Sequence, residues 1–463
     1  MFEGNFKVLV LCIILGFNGK LRAKTQDIQN DFRGPFVSAD QWIESEVNVS
    51  IPKIFQNVSP RDAKTGIVVA AQTRNNPNYY FHWVRDAALT MEALIDRYNF
   101  NLNFGAEKST EQQIIKRKLM EYFDLSDHLQ TTRAIEGLGE PKFNIDGSAY
   151  NEPWGRPQND GPALRALSFI HLAKILINEG QIEFVKSRFY NGKLGAGSVI
   201  KRDLEFVSHE WRKSSFDLWE EVKADHFYTR MVQRRALREG ADFASTMGDS
   251  GAANWYATQA NEIETDLMSF WDAHRGYFIA TKNRVGGIDY KNSQLDTAVI
   301  LGLLHGSLND GFLPFRDLRI QETMNRIASS FQNIYGVNHK SNIPGIAIGR
   351  YPEDVYGGAN FNAGNPWVLC TLAFAEAYYR MADEYSQLGQ NNIANDLIQR
   401  GDSFVMRVQY HAHPNGALNE QYDRNNGYMT SVEDLTWNYG SVLTTYFARI
   451  KGITSLQASM SGR

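Results

Sequence analysis

Hydrophobic side chains in this sequence recur at the three- and four-residue steps of an α-helix from about Ser38 onward. The strict alternation of a half-buried β-strand is scarce. In the segment 83–98, for example, Val84, Met91 and Leu94 fall on one face of a helix. The pattern therefore predicts a protein built almost entirely from helices.

The segment 161–180 carries its own start and stop signals. Asp160 is placed to cap the first turn, Pro162 lies inside that turn, and Gly180 follows the last apolar residue. Read in the same way, the whole sequence predicts twelve helices. They span residues 38–57, 83–99, 111–130, 161–180, 199–213, 226–248, 253–274, 295–306, 315–333, 366–388, 391–412 and 432–451.

The predicted connections differ in length and composition. Those after the odd-numbered helices are mostly long and rich in Gly, Pro, Asn, Asp and aromatic residues, whereas those after the even-numbered helices are mostly shorter, with 181–198 the exception. If successive helices run antiparallel, the six rich connections emerge at the same end of the molecule. The expected fold class is all-α, a single-domain (α/α)6 barrel with six outer and six inner helices.

Composition narrows the range of partners. The 463 residues are 43% hydrophobic, which allows a large core, and 48 basic and 52 acidic residues leave a net charge of −4. The two signs are mixed along the chain without a basic stripe, so no nucleic-acid partner is expected.

The N-terminal segment differs from the rest. A lysine precedes the apolar run 8–17, which is followed by "NGKLRA", a pattern typical of a secretory signal peptide cleaved near Ala23. The expected domain organisation is therefore a signal peptide at 1–23 and one catalytic domain at 24–463. The mature protein would have no membrane span and would be delivered outside the cell, to the cell wall or to the vacuole.

Cysteines and glycosylation sequons bear on the same expectation. Cys12 would leave with the signal peptide, so Cys370 could form no disulfide within the mature chain. Asn48 and Asn57 each begin an Asn-x-Ser sequon, in agreement with entry into the secretory pathway.

Five tryptophans lie in or beside the long connections, next to Arg, Asp, Glu and Asn. One such tryptophan alone more often packs in a core, but five beside hydrogen-bonding groups suit a sugar, whose C–H face stacks on an aromatic ring. They are Trp83, Trp154, Trp219, Trp367 and Trp437.

Hydrolysis of a glycosidic bond requires two carboxyl groups on opposite sides of that bond. The stretch "FDLWEEV" supplies Asp217, Glu220 and Glu221. If this turn is helical, Asp217 and Glu220 share one face and cannot lie on opposite sides of a substrate. The opposing carboxyl is therefore expected from another loop, and Glu420 in "NGALNEQYDRNNGYMT" is the best candidate.

Several motifs together resemble the fungal glucoamylases of glycoside hydrolase family 15. They are "NPNYYFHWVRDAAL", "GLGEPKFNIDGSAYNEPWGRPQNDGPALRA", "FDLWEEV", "IGRYPEDVY", "GNPW", "GALNEQYDRNNGY" and "DLTWNYG", in the family's order and over nearly the whole chain after the N-terminal segment. The resemblance implies an (α/α)6 barrel and an exo-acting enzyme. Such an enzyme releases β-D-glucose, with inversion, from the non-reducing ends of α-1,4-glucans, and more slowly from α-1,6 branches, without a cofactor or metal.

The resemblance also implies roles for individual residues. Glu220 matches the general acid and Glu420 the general base. Asp217 is kept as a second choice for the base, although its proximity to Glu220 in sequence argues against an inverting role. The remaining matches are substrate-binding positions, with Arg85, Asp86 and Arg350 on the terminal glucose, Trp154 at the neighbouring subsites, and Tyr79, Leu218, Trp219, Glu221 and Trp437 elsewhere in the pocket.

Two departures from the family pattern bear on the substrate. The connection 356–367 is longer than the common spacing, so a different preference for chain length is expected. No starch-binding module is expected beyond the catalytic domain, so soluble dextrins or glycogen are expected as substrates rather than raw granules.

Other interpretations remain open. The same fold could carry an α-glucosidase with a different linkage preference, or a glucan-binding protein that has lost turnover. The presence of both Glu220 and Glu420 favours the enzyme. His411 and His413 are interpreted as solvated loop residues rather than metal ligands, and a monomer is expected.

Overall fold

The computed structural model describes residues 37–103, 109–340 and 342–462. The predicted signal peptide and Cys12 lie outside these ranges. Cys370 is buried and unpaired. Among the described residues, no helix is long and apolar enough to cross a membrane.

Thirteen α-helices are present in the described part of the chain. They are α1 (Ala39–Asn57), α2 (Val84–Asn103), α3 (Thr110–Thr131), α4 (Gly161–Asn178), α5 (Ile182–Arg188), α6 (Val199–Glu210), α7 (Phe227–Thr246), α8 (Ser250–Met268), α9 (Ala298–Gly306), α10 (Leu318–Ile334), α11 (Val368–Gln387), α12 (Asn391–His411) and α13 (Thr436–Met460).

Six of these helices form a closed inner ring. In ring order α2, α4, α7, α9, α11 and α13 each pack against the next, and α13 packs back against α2. The helices α1, α3, α6, α8, α10 and α12 precede them in alternation along the chain and form the outer layer. The predicted (α/α)6 barrel is therefore confirmed.

Burial distinguishes the two layers. The inner helix α4 is buried on nearly every side, which suits a segment surrounded by other helices. The outer helix α10 buries one stripe, with Ile320, Met324, Ile327 and Phe331 at helical spacing. The sequence periodicity predicted both helices because each retains enough apolar positions on a single face.

The ring is closed by contacts between distant parts of the chain. At the start of α13, the hydroxyl of Thr436 donates to the carbonyl of Val69 at 2.7 Å. Near its middle, Arg449 forms an ion pair with Asp40 of α1 at 2.5 Å. These contacts fix α13 against the first outer helix and against the loop that follows it.

Short antiparallel strands build the long loops. They are β1 (His82–Trp83), β2 (Lys142–Phe143), β3 (Ser215–Phe216), β4 (Val222–His226), β5 (Trp271–Asp272), β6 (Tyr277–Phe278), β7 (Thr281–Gly287), β8 (Asn419–Tyr422) and β9 (Met429–Glu433). Strand β1 pairs with β2, β4 lies between β3 and β7, β5 pairs with β6, and β8 pairs with β9. These pairings hold the long loops in fixed positions above the barrel.

Two expectations about individual residues were wrong, and one of the two sequons is buried. Asp160 does not cap α4 with its side chain, since the carboxylate binds Arg85 instead. Asn57 is buried, and its amide donates to the Thr436 hydroxyl at 2.8 Å, so the second sequon is closed to glycosylation in the folded protein. His411 is not solvated but buried and stacked on Tyr422.

Candidate active site

A cavity of about 630 Å³ lies at the loop end of the barrel. Five of the six long loops contribute to its wall, and the sixth, 275–294, supports the wall from behind. All but one of the residues predicted for the site line the cavity. They are Tyr79, Arg85, Asp86, Trp154, Leu218, Trp219, Glu220, Glu221, Arg350, Glu420 and Trp437. The exception is Asp217.

Glu220 lies in the tight turn that joins β3 to β4. Its backbone N–H donates to the carbonyl of Asp217 at 2.9 Å, and its φ of 67° lies in the left-handed region. The turn is not helical, contrary to one assumption made from sequence. Because a β-turn reverses the chain direction, it can direct Glu220 and Asp217 into different surroundings.

The carboxylate of Glu220 is surrounded by donors. Its Oε1 accepts from the indole of Trp83 at 2.8 Å and from the side-chain amide of Gln158 at 2.9 Å. The guanidinium of Arg85 lies 3.7 Å away. The side chain keeps 19% of its surface exposed, so it remains accessible from the cavity.

Asp217 faces away from the cavity and stabilises the turn. Its Oδ1 accepts from the backbone N–H groups of Glu221 and Val222 at 2.7 and 2.9 Å. Burial alone would raise the pKa of Asp217, but the ammonium of Lys291 and these backbone donors hold that pKa below its usual value. Asp217 is therefore positioned as a structural anion beneath Glu220.

Glu420 lies on β8 and is fully buried. Its Oε1 accepts from the hydroxyl of Tyr79 at 2.9 Å. Its Oε2 accepts from the hydroxyl of Ser431 at 2.5 Å and from the amide of Gln421 at 2.9 Å. Burial raises the pKa of Glu420 to about 7, against the opposing effect of these donors and of Arg350.

Arg350 is held in a buried ion-pair network. Its guanidinium contacts Asp354 through Nε at 2.8 Å and through Nη2 at 2.6 Å, and it binds Glu221 at 2.8 Å. The hydroxyl of Tyr351 donates to the second oxygen of Glu221 at 2.7 Å. Burial raises the pKa of Glu221 above its usual value, although Arg350 opposes the effect.

A second arginine is fixed at the start of α2. Arg85 binds Gln158 and Asp160 through Nη1, at 2.9 Å each. Its neighbour Asp86 lines the same cavity, and burial raises the pKa of Asp86 to about 6 despite the nearby Arg85 charge. The two arginines thus present rigid, directed donors at separate points of the wall.

Lys142 was not predicted as a site residue, although it lies in the motif that begins at Gly137. It lines the cavity on β2, is 1% exposed, and its ammonium sits 3.6 Å from the ring centre of Trp154 and 4.4 Å from that of Trp83. Phe81 and Tyr150 complete this aromatic box, at 4.1 and 4.2 Å. Burial lowers the pKa of Lys142 to about 8.

Three further residues that contact groups of the site were also not predicted from the sequence. They are Gln158, Tyr356 and Ser431. Gln158 follows Trp154 in a loop already noted for its polar residues, so its position was a usable signal. Ser431 contacts Glu420 across the pairing of β8 with β9. Neither the spacing of residues nor the composition of the loop predicts such a contact between two strands.

The sixth loop supports the wall through buried ionic contacts. Lys291 binds Asp296 at 2.6 Å and lies 3.4 Å from Asp217. Asp296 in turn accepts from the indole of Trp219 at 2.8 Å. This chain of contacts links the turn that carries Glu220 to the start of α9.

The geometry brings two carboxyl groups from distant loops to one cavity. Glu220 and Glu420 both line it, and in the described part of the chain no hydrogen bond joins them. Each is held by its own set of donors, so the two carboxyl groups have separate surroundings. Such a pair suits acid–base cleavage of a glycosidic bond.

Comparisons with known proteins agree with this chemistry. The glucoamylase of Blastobotrys adeninivorans is 36% identical over 447 residues, which cover 88% of this chain and 70% of that protein. A probable glucoamylase of Schizosaccharomyces pombe is 32% identical, over 91% of this chain and 94% of its own length.

A solved structure and a family model extend the likeness to the whole fold. The structure of the glucoamylase from Saccharomycopsis fibuligera matches with a TM-score of 0.80 at 27% identity, over 92% of this chain and 99% of that chain. Residues 54–447 match the model of glycosyl hydrolases family 15. The chain belongs to glycosyl hydrolase family 15.

Proposed function

We propose that this protein is a glucoamylase in which Glu220 acts as the general acid and Glu420 as the general base. The activity is that of a glucan 1,4-α-glucosidase, which releases β-D-glucose from the non-reducing ends of α-glucans. The observation that carries the assignment of roles is the convergence of these two carboxyl groups on one aromatic cavity. Family membership and the glucoamylase relatives support the reaction class.

The general acid must give a proton to the leaving oxygen. Glu220 is accessible from the cavity and lies beside Trp219 and Leu218, so a glycosidic oxygen can approach it. The hydrogen bonds from Trp83 and Gln158 fix one carboxyl oxygen and leave the other for the substrate.

The general base must take a proton from water on the opposite side of the sugar. Glu420 is held by donors on both oxygens, which stabilise its ionised form within a buried site. In an inverting mechanism the water lies between this carboxylate and the anomeric carbon. The resulting product is the β-anomer.

Binding of the terminal glucose is assigned to Arg85, Asp86 and Arg350. Both guanidinium groups are locked by buried carboxylates, so little side-chain entropy is lost when they bind a hydroxyl. The indole N–H groups of Trp154 and Trp367 are buried without an acceptor among the described residues. Sugar hydroxyls can supply the missing acceptors.

The reaction and the two roles can be tested together. The purified protein is incubated with maltoheptaose, and the anomer of the released glucose is followed by NMR. We expect β-glucose first, with slow conversion to the α-anomer. Glu220→Gln and Glu420→Gln should each lower kcat by about 10²–10⁴-fold. Glu183→Gln, on an exposed helix, serves as the matched control.

Each alternative gives a different result. Immediate release of α-glucose would contradict the inverting assignment. A folded protein that binds maltoheptaose without turnover would support the glucan-binding alternative instead. Normal activity of Glu420→Gln, with loss in Asp217→Asn, would transfer the base role to Asp217.

We infer that the protein enters the secretory pathway and works there or outside the cell as a monomer with one catalytic domain. The sequence of the N-terminal segment supports entry, and the side chain of Asn48 is exposed on α1. We predict that Asn48→Gln lowers the apparent mass of the secreted protein by one glycan, while Asn57→Gln leaves it unchanged, as measured before and after enzymatic deglycosylation. A glycan at Asn57 would show that glycosylation precedes folding there.

A further inference from the structure

Phe361 is an exposed aromatic side chain in the wall of the catalytic cavity. It is 72% exposed although it lines the cavity. Its ring lies 5.6 Å from the ring of Tyr356, with the planes tilted by 52°. A single exposed aromatic residue is not unusual on a protein surface, but one at a sugar-binding cavity offers a ready stacking face.

Phe361 stands at the outer end of a series of contacts that begins at Glu420. The carboxylate of Glu420 accepts from the hydroxyl of Tyr79, which also lies 2.9 Å from the hydroxyl of Tyr356. The ring of Tyr356 is followed by that of Phe361. Exposure increases outward along this series, from the fully buried Glu420 to the exposed Phe361. Phe361 is therefore placed near the mouth of the cavity rather than at the reacting bond.

The loop that carries Phe361 is fixed in place on both sides. The backbone N–H of Gly357 donates to the carbonyl of Asn360 at 2.8 Å, and that of Gly364 donates to the carbonyl of Asp354 at 2.7 Å. Gly358 adopts a φ of +84°, and a Cβ there would lie 2.6 Å from the hydroxyl of Ser431. A loop held in this way presents the aromatic ring without a large ordering cost when a ligand binds.

We propose that Phe361 is a specificity-determining residue that stacks on a glucose unit of the α-glucan outside the pair of units joined by the cleaved bond. The inference rests on the proposed function. A disaccharide is too short to use this platform, whereas a longer chain leaving the cavity passes over it. Phe361 thus increases the preference for long substrates mainly through KM.

The test compares maltose with maltoheptaose in wild type and in Phe361→Ala. We expect kcat/KM for maltoheptaose to fall about three- to ten-fold, mainly through KM, since aromatic stacking contributes on this scale. The kcat/KM for maltose should equal that of the wild type within experimental error. Phe361→Tyr, which keeps the ring, should retain the wild-type ratio. Leu194→Ala, another exposed apolar side chain outside the cavity wall, is the matched control.

The outcomes separate the inference from the proposed function. Equal losses on maltose and maltoheptaose would overturn the inference, because the loop would then act on the reacting bond through Ser431. An unchanged ratio in Phe361→Ala would also overturn it while the glucoamylase assignment stands. A wild-type enzyme that releases glucose from neither substrate would overturn both. Truncation of an exposed side chain should leave Tm unchanged, which a melting curve checks.

Discussion

At the scale of single residues, the state of Glu420 depends on a balance between burial and hydrogen bonding. Burial raises its pKa to about 7, and the Ser431, Tyr79 and Gln421 donors limit that rise. A base is active only in its ionised form. The pKa of Glu420 should therefore set the acid side of the pH profile of kcat/KM.

Removal of the Ser431 hydroxyl tests this balance. In Ser431→Ala the ionised carboxylate loses a donor at 2.5 Å, so the pKa of Glu420 should rise by about one unit. Because protonation inactivates the base, the acid limb of kcat/KM should move to higher pH by the same amount. The measurement is a pH profile with maltose as substrate.

Two further variants control for this experiment. Tyr79→Phe removes the donor on the other carboxyl oxygen and should shift the same limb in the same direction. Ser187→Ala, on the exposed helix α5, should leave the profile unchanged. An acid limb that stays in place in both active-site variants would exclude Glu420 as the titrating base.

Asp217 is predicted to contribute to stability more than to the chemical step. Asp217→Asn keeps the side-chain shape but removes the charge that binds two backbone donors and faces Lys291. We expect a loss of about 1.5–3 kcal/mol in the free energy of unfolding. Denaturant unfolding measures this loss, and kcat should fall far less than in Glu420→Gln. Wild-type stability combined with lost turnover would contradict this role.

The sequence predicted the identities of the catalytic candidates better than their surroundings. The motifs and the need for carboxyl groups from separate loops selected Glu220 and Glu420 as candidates, and both line the cavity. The choice between Glu420 and Asp217 depended on which side chain faces the cavity. That direction is set by a tight turn with a left-handed residue at 220, which no periodic pattern encodes.

At the scale of elements, the hairpin of β3 and β4, which carries Glu220, depends on close packing against β7. Gly287 has a φ of +77°, and a Cβ at this position would lie 2.0 Å from the carbonyl oxygen of Glu221. Val222 pairs with Gly287 in the β4–β7 register. The absence of a side chain at 287 therefore allows the turn that carries Glu220 to approach the strand.

We predict that Gly287→Ala displaces this turn and lowers kcat/KM by at least about ten-fold, because catalytic groups tolerate little misplacement. Gly248→Ala is the matched control, since Gly248 has a similar φ of +82° with open space around it. It should cost about 1–2 kcal/mol of stability through backbone strain but leave kcat/KM unchanged. Equal activity in the two variants would show that the approach to Glu221 is not needed.

The helices were predictable and the strands were not. All twelve predicted helices exist, because one apolar face repeated over several turns is a strong signal. The seven-residue helix α5 was missed in the connection 181–198, where it is too short to show a period. The strands span two to seven residues within polar loops, so alternation could not identify them.

At the scale of the whole molecule, a partly buried ionic bridge joins three successive helices of the inner ring. His171 on α4 contacts Glu92 of α2 at 2.5 Å and Glu239 of α7 at 2.7 Å. Burial would lower the pKa of His171, but the two carboxylates outweigh it and raise that pKa to about 9. The charged imidazole therefore ties the helices together over the neutral pH range.

This bridge predicts how stability depends on pH. The folded-state pKa of about 9 lies above the usual value of about 6.5 expected in the unfolded chain. The contribution should be fully present below about pH 6.5 and should be lost as pH rises through about 9. Melting temperatures between pH 6 and 10 measure this loss.

His171→Gln should flatten that dependence and lower Tm at pH 6, because it cannot carry the charge. His209→Gln, at an exposed position on α6, is the control and should follow the wild-type curve. A wild-type slope that persists in His171→Gln would assign the pH dependence to another group.

The contact between Thr436 and Val69 joins positions 367 residues apart, which has a consequence for biosynthesis. During translation, Trp83 and Arg85 leave the ribosome long before Glu420 and Trp437. Until α13 has emerged, the nascent chain is an open arc of hairpins that lacks the part of the cavity wall supplied by Trp437. The barrel can therefore close only after nearly the whole polypeptide has been made.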